Sequence, residues 1–270
     1  KLEHVQHTGS FKPRGAFNTL ILEGAPEAGI VAASGGNHGA AVAYAAQSLG
    51  HNARIYVPEV AGPTKISLIK AIGADLQVVA GLYSDALIQA EDWENKTGAR
   101  QVHAYDTLST VSGQGSLSLE WEEQGLTADT LLIAVGGGGL IAGSAAWFQG
   151  EKKIIAVEPE KSCALNTALK KGYPTDVDVS GVAVNALGAK KIGQICFDLA
   201  VKTKMHSILV SDSAILDAQA LLWRAHRQLV EPAGATALAA LISGAYKPSS
   251  DEKVAVLICG ANTEPDSLTF

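Results

Sequence analysis

Short apolar runs alternate with helix-length amphipathic stretches along most of the chain, a rhythm that predicts strands and helices in turn, as in βαβ units. Ile30–Ala33, Ala53–Val57 and Asp75–Val79 read as strands, and Gln101–His103 closes the group. Between them fall an alanine-rich helix Gly39–Leu49, a helix Thr64–Ile72 behind Pro63, and a helical stretch Tyr83–Lys96. A second series follows: a helix Gly113–Glu123, a strand Thr130–Val135, a helix after Gly139 and a strand Ile154–Val157. Helices Asp212–Leu229 and Gly234–Ser243 and a strong strand Val254–Ile258 complete it. Two such series predict an α/β protein of two lobes, with parallel-rich twisted sheets flanked by helices. No long linker separates them, so the lobes pack around a cleft, where α/β proteins place their ligands at the carboxyl ends of strands.

Composition narrows the possibilities. At 270 residues, 47% hydrophobic and 18% charged, the chain can bury a sizeable core and has no low-complexity block. No apolar run reaches the roughly 18 residues needed to cross a bilayer and nothing reads as a signal peptide, so a soluble, cytoplasmic protein is expected. The net charge of -6, with Lys and Arg scattered, gives no stripe for nucleic acid. Cys163, Cys196 and Cys259 are few, odd in number and far apart, which fits a reducing compartment and neither a disulfide framework nor a zinc site.

The candidate chemistry begins at Ser10-Phe11-Lys12-Pro13-Arg14-Gly15-Ala16. Lys12 follows the turn signal Thr8-Gly9 and precedes a helix-like run through Phe17, Leu20 and Ile21, which places it at a buried strand-to-helix junction. Burial disfavours the ammonium form, and a neutral amine can hold a carbonyl as a Schiff base. Three glycine-bearing loops also follow strands. Ser34-Gly35-Gly36-Asn37-His38-Gly39 leads into a helix N-terminus, whose N–H groups and dipole favour a carboxylate; a tight turn with an Asn cap is the plainer reading. Gly136 to Gly139, before Leu140, suit a phosphate cradle. They match neither G-x-G-x-x-G with its ribose-holding acid nor a nucleoside-triphosphate loop. Cys259-Gly260-Ala261-Asn262 ends the last strand and aims a thiol at the same cleft.

A Schiff-base lysine, an anion loop, a phosphate loop and a neutral partner at a strand end are what pyridoxal phosphate requires. The chain resembles the fold type II pyridoxal-phosphate enzymes (tryptophan synthase β-like), most closely the threonine and serine dehydratases, over essentially its whole length. The resemblance rests on Thr8 to Ala16, Ser34 to Gly39, Gly136 to Gly139, Ser180-Gly181-Val182-Ala183, Glu231-Pro232-Ala233-Gly234-Ala235 and Cys259 to Asn262, in the family's order. It implies a large cofactor-binding domain of residues 1–27 and 105–270, a small domain of 28–104, and a homodimer. It also implies that Lys12 anchors the cofactor, Phe11 packs on the ring, Asn37 bonds the ring hydroxyl, and Gly136 to Gly139 with the Leu140 N–H hold the phosphate. Ser34, Asn37 and His38 would line the substrate-carboxylate loop, and Cys259 would face the ring nitrogen where the family usually has Ser or Thr. Gly181 and Glu231 would lie near the ring, Glu231 orienting Lys12 or water, although an acid before Pro232 also fits a helix start.

The implied reaction is β-elimination from L-threonine or L-serine, with Lys12 as the α-proton base, giving 2-oxobutanoate or pyruvate and ammonia. The alternatives are a serine racemase, a dehydratase for another hydroxy amino acid, or a non-catalytic binding protein of the same fold. A family racemase places a serine immediately before the Gly-Asn of the first loop; here that residue is Gly35, which favours elimination. Some relatives hold a divalent cation through two acids six residues apart; this chain has Glu158 but Ala164, so no metal is expected and Glu158 is read as exposed before Pro159. The family carries several dozen residues ahead of the lysine's strand, so this sequence reads as starting inside the family's length. It stops soon after Asn262, so a regulatory domain and its feedback control are not expected.

Overall fold

The computed structural model describes residues 1–61, 63–81 and 83–264. The first series forms a four-stranded sheet of β1 (Ile30–Ala33), β2 (Ala53–Pro58), β3 (Asp75–Val79) and β4 (Arg100–Gln101), in the order β3-β2-β1-β4. The second forms another, of β5 (Thr130–Ala134), β6 (Lys153–Pro159), β7 (His206–Val210) and β8 (Val254–Val256), in the order β7-β6-β5-β8. Every pairing is parallel, with Ile30 opposite Ala53 and Leu132 opposite Ile155. Central β1 and β5 are buried at every position, whereas the edge strands β3 and β7 expose their first residues. Covered on both faces, the central strands read as unbroken apolar runs, which is why the sequence located them so well.

Eleven α-helices flank the sheets among the described residues: α1 (Lys12–Glu23), α2 (Asn37–Ser48), α3 (Pro63–Ala71), α4 (Tyr83–Thr97), α5 (Leu108–Glu123), α6 (Gly139–Phe148), α7 (Ala164–Lys171), α8 (Val184–Leu187), α9 (Gln194–Lys202), α10 (Asp212–His226) and α11 (Pro232–Ile242). The alanines of α2 at positions 40, 41, 43, 45 and 46 are all buried, letting that helix lie close on its sheet. One core fills the second lobe from Val111 to Cys259. Another joins β1, β2 and α2 to Ala16 and Leu20, so α1 packs on both lobes. No helix among the described residues is long and apolar enough to cross a membrane.

Several elements differ from the sequence reading. α5 starts at Leu108, five residues before Gly113, because tertiary bonds compensate for a Ser/Thr-rich first turn: Thr110 Oγ1 donates to the His103 carbonyl at 3.0 Å and packs against Thr19. Helices α7, α8 and α9 and the edge strand β7 have no counterpart in the sequence reading, each being too short for its periodicity to stand out. Ile21 is helical but two-thirds exposed, so it is no part of the core. No strand precedes Lys12; two 3₁₀ turns, Glu3–Val5 and His7–Gly9, do. They are tied to the chain beyond β8 by bridges pairing Leu2 with Ile258 and Ser10 with Gly260.

Candidate functional site

Thr8 and Gly9 both adopt positive φ, 57° and 72°, and this turn delivers the chain to the start of α1. Phe11 N–H donates to the Cys259 carbonyl at 3.2 Å, which fixes Lys12 at the end of the second sheet. Lys12 is part-buried, with its amine donating to the Ala104 carbonyl at 2.8 Å and lying 5.2 Å from the Phe11 ring centre. Burial lowers its pKa from 10.5 to about 8, with Cys259 and Glu231 nearby opposing the shift. The first turn of α1 is clamped by Arg14, whose guanidinium grips the buried Glu3 at 2.7 and 2.8 Å and Glu120 at 2.6 Å. A planar guanidinium suits this two-pronged grip, and it holds Lys12 one half-turn away.

The loop after β1 is built on its own backbone. Ser34 Oγ accepts from the Gly36 N–H at 3.2 Å, and a β-carbon at Gly39 would overlap the Ser34 carbonyl. Asn37 is the first residue of α2 rather than its cap, and its side chain reaches the other lobe, donating to Glu231 Oε1 at 2.5 Å and accepting from Asn262 Nδ2 at 2.7 Å. His38 differs from the expectation for a substrate-facing side chain. Its ring is buried and bonds the Val102 carbonyl through Nε2 at 2.8 Å. Burial and the charge of Lys12 lower its pKa to about 3, so it is neutral. Only its backbone N–H remains for a carboxylate at the head of α2.

Each glycine from 136 to 139 is closely packed, and at 137, 138 and 139 a side chain would force its neighbour to move. A β-carbon would meet Leu187 Cα at 3.0 Å from Gly136, overlap the Tyr105 ring from Gly137, lie 2.5 Å from Cys196 Sγ at Gly138, and lie 2.9 Å from Tyr105 at Gly139. Gly138 also has φ of 95°. The backbone thus turns tightly into α6, whose first N–H groups have no partner inside the helix and suit a phosphate. Leu140 sits in that first turn, buried. The residues therefore fit pyridoxal phosphate: a depressed amine, and a close-packed glycine turn that opens a helix with free N–H groups.

Cys259 is buried and its thiol donates to the Ala233 carbonyl at 3.5 Å. Burial pushes its pKa up to about 12, which makes it a neutral partner. Glu231 begins α11, yet its carboxylate makes no cap there and turns instead to Asn37. Gly181, with φ of 87°, is packed against the Asp212 carboxylate, which accepts from the Val182 N–H at 3.2 Å. Glu158 overturns the exposed reading. It is fully buried and accepts from the N–H groups of Leu165 and Asn166, both at 2.8 Å, and from Ser207 Oγ at 2.6 Å. These bonds at the start of α7 oppose the effect of burial without cancelling it, and the Glu158 pKa is raised from 4.5 to about 7. With both oxygens taken and Ala164 beside them, the donor set does not fit a cation site, and no cluster of metal-binding side chains occurs among the described residues.

The sequence missed the segment His103–Asp106. His103 Nδ1 accepts from the Tyr105 and Asp106 N–H groups at 3.2 and 2.8 Å, Ala104 offers its carbonyl to Lys12, and Tyr105 backs the glycine loop. Asp106 accepts from the Gln194 and Ile195 N–H groups, both at 3.0 Å, capping α9 behind that loop. An acid that caps a helix 88 residues away leaves no local signal in the sequence.

The family model described as pyridoxal-phosphate dependent enzyme matches residues 1–260. Phenylserine dehydratase from Ralstonia pickettii is 34% identical, the match covering 100% of this chain and 83% of that protein. L-threonine ammonia-lyase from Thermotoga maritima is 33% identical, over 98% of this chain and 67% of that protein. The solved structure of maize serine racemase has a TM-score of 0.92 at 31% identity, covering 98% of this chain and 83% of that one.

Proposed function

Because the chain belongs to the pyridoxal-phosphate dependent enzymes, we propose that it performs β-elimination on a hydroxy amino acid, L-threonine or L-serine, giving 2-oxobutanoate or pyruvate and ammonia. In this reading Lys12 is the covalent anchor, Gly136 to Gly139 and the Leu140 N–H hold the phosphate, and Phe11 lies against the ring. Asn37 meets the ring hydroxyl and Cys259 the ring nitrogen. Ser34 and the backbone of Asn37 and His38 receive the substrate carboxylate. Bound there, pyridoxal phosphate supplies a carbonyl to capture the amino group and an electron-withdrawing ring that acidifies the α-hydrogen. Burial lowers the Lys12 pKa to about 8, which favours the neutral amine that can take a proton from the α-carbon. The neutral thiol of Cys259 offers the ring nitrogen no negative charge.

Gly35 carries the choice between elimination and racemisation. A β-carbon there would overlap Ala61 Cβ and lie 2.8 Å from Val57 Cγ1, so the packing has closed over the place where a racemase serine would carry its hydroxyl. Without an acid there, reprotonation of the α-carbon from that side lacks a donor. The similarity to maize serine racemase is the ground for the runner-up, racemisation. The homologue acting on phenylserine makes an aryl-bearing substrate the runner-up within elimination. Homodimerisation in the cytoplasm belongs to the same reading, and Ile21 and Leu22, both about two-thirds exposed on α1, supply apolar surface for it.

The test is 2-oxo acid release from L-threonine, L-serine and phenylserine, with D-serine formation followed in the same samples. We expect 2-oxo acid from threonine or serine, and none from Lys12→Ala, which should also purify without yellow colour. D-serine exceeding pyruvate would overturn elimination, and a colourless wild-type protein unable to take up the cofactor would overturn the whole assignment.

A further inference from the structure

We propose that Asn262 is a positioning residue that fixes which end of the Asn37 amide faces the cofactor, an inference resting on the reading of Asn37 as the partner of the ring hydroxyl. An asparagine amide has a donor end and an acceptor end of nearly the same shape, so its neighbours decide what it offers a ligand. Here the decision starts from a backbone oxygen. The Thr8 carbonyl can only accept, so the group 2.7 Å from it must be the Asn262 NH₂. The same nitrogen donates its second hydrogen to Asn37 Oδ1 at 2.7 Å. Asn37 Nδ2 is thereby turned to Glu231 Oε1, 2.5 Å away, and keeps one hydrogen for a ligand.

Flipping Asn37 would set its oxygen against the Glu231 carboxylate and its NH₂ against that of Asn262. Both contacts would be repulsive. The surroundings also hold Asn262 in place: the Ala261 N–H donates to the Gly9 carbonyl at 2.9 Å, and a β-carbon at Gly9 would lie 2.7 Å from Asn262 Oδ1. Thr8, Asn262, Asn37 and Glu231 thus form one polarised chain that crosses from the second lobe to the head of α2. Its output is a donor aimed at the ring oxygen, which favours the proton residing elsewhere than on that oxygen.

The experiment is the absorption spectrum of the holoenzyme and of Asn37→Ala, Asn262→Ala and the double variant, at one pH, with thermal midpoints recorded alongside. Asn37→Ala should move intensity from the visible band to the near-ultraviolet band of the form protonated on the ring oxygen. Asn262→Ala should do the same, lowering the ratio of the bands by about fivefold, the scale of one hydrogen bond. In the Asn37→Ala background it should change nothing further, since a residue that acts through another has no effect without it. Asn262→Asp keeps the shape, removes both donors and should shift the bands at least as far, which keeps the test decisive if Asn262→Ala does not fold. An unchanged spectrum for Asn262→Ala beside a shifted one for Asn37→Ala overturns this inference alone, as does an Asn262 effect that persists without Asn37. An unchanged spectrum for Asn37→Ala overturns the reading of Asn37 on which it rests.

Discussion

Replacing Lys12 with methionine should stabilise the cofactor-free protein while abolishing its capture of cofactor. Burial lowers the Lys12 amine from 10.5 to about 8. At about 1.36 kcal/mol per unit, holding the charged lysine in the fold destabilises it by roughly 3 kcal/mol at pH 7. The sign follows from proton counts: between pH 8 and 10.5 the unfolded chain binds a proton the folded one has released, so stability rises with pH through that window. The penalty is therefore fully present below pH 8, and by pH 9.5 it has fallen to about 1.4 kcal/mol. Methionine matches the length without charge but forfeits the bond to the Ala104 carbonyl, a loss of about 1 kcal/mol. The net expectation is a gain of about 2 kcal/mol at pH 7 that nearly vanishes at pH 9.5. Urea unfolding of both apoproteins at the two pH values measures it. A gap that does not shrink with pH, or a variant less stable than wild type at pH 7, refutes the reasoning.

Arg14→Ala leaves the buried Glu3 carboxylate without its two-pronged partner and should destabilise the fold by about 3 kcal/mol in denaturant titrations, more than Arg14→Lys. Gly137→Ala forces a β-carbon into the Tyr105 ring; strain of about 1 to 3 kcal/mol should weaken cofactor binding by tenfold or more when measured by fluorescence titration. Glu158→Ala strips the start of α7 of its acceptor and removes the oxygen to which the Ser207 hydroxyl donates, which should cost about 2 kcal/mol by thermal melting in buffers with or without chelator. Burial raises Glu158 from 4.5 to about 7, so its own contribution to wild-type stability should fall as pH rises from 4.5 to 7.

The parallel sheets were plain in the sequence because doubly covered strands are written as unbroken apolar runs; β1 and β3 begin and end where the pattern put them. The lysine turn and the glycine loop were visible too, since positive φ and close packing leave glycine as their mark. What stayed hidden depends on partners far away in the chain. The fate of the His38 ring is decided by the Val102 carbonyl, Glu158 is buried because α7 begins over it, and Asp106 works on α9. Periodicity reports which face of an element is covered, not which distant polar group completes a bond. Gly35 could be read as a missing hydroxyl, but only the packing of Ala61 and Val57 shows that the space is closed.

The bridges joining Ser10 to Gly260 and Thr8 to Asn262 set a timetable for synthesis. Asn262 and Thr8 are 254 positions apart, so Lys12 and the residues around Asn262 cannot meet until nearly all of that chain has left the ribosome. At roughly 5 to 20 residues per second, the lag between making Lys12 and completing its surroundings is on the order of 12 to 50 s. Throughout that interval Lys12 lacks the burial that lowers its pKa, so its amine stays protonated and unreactive until the fold closes over it. Coloration by cofactor is then a report of finished folding, and a fragment that stops short of Cys259 should remain colourless however well its first lobe folds.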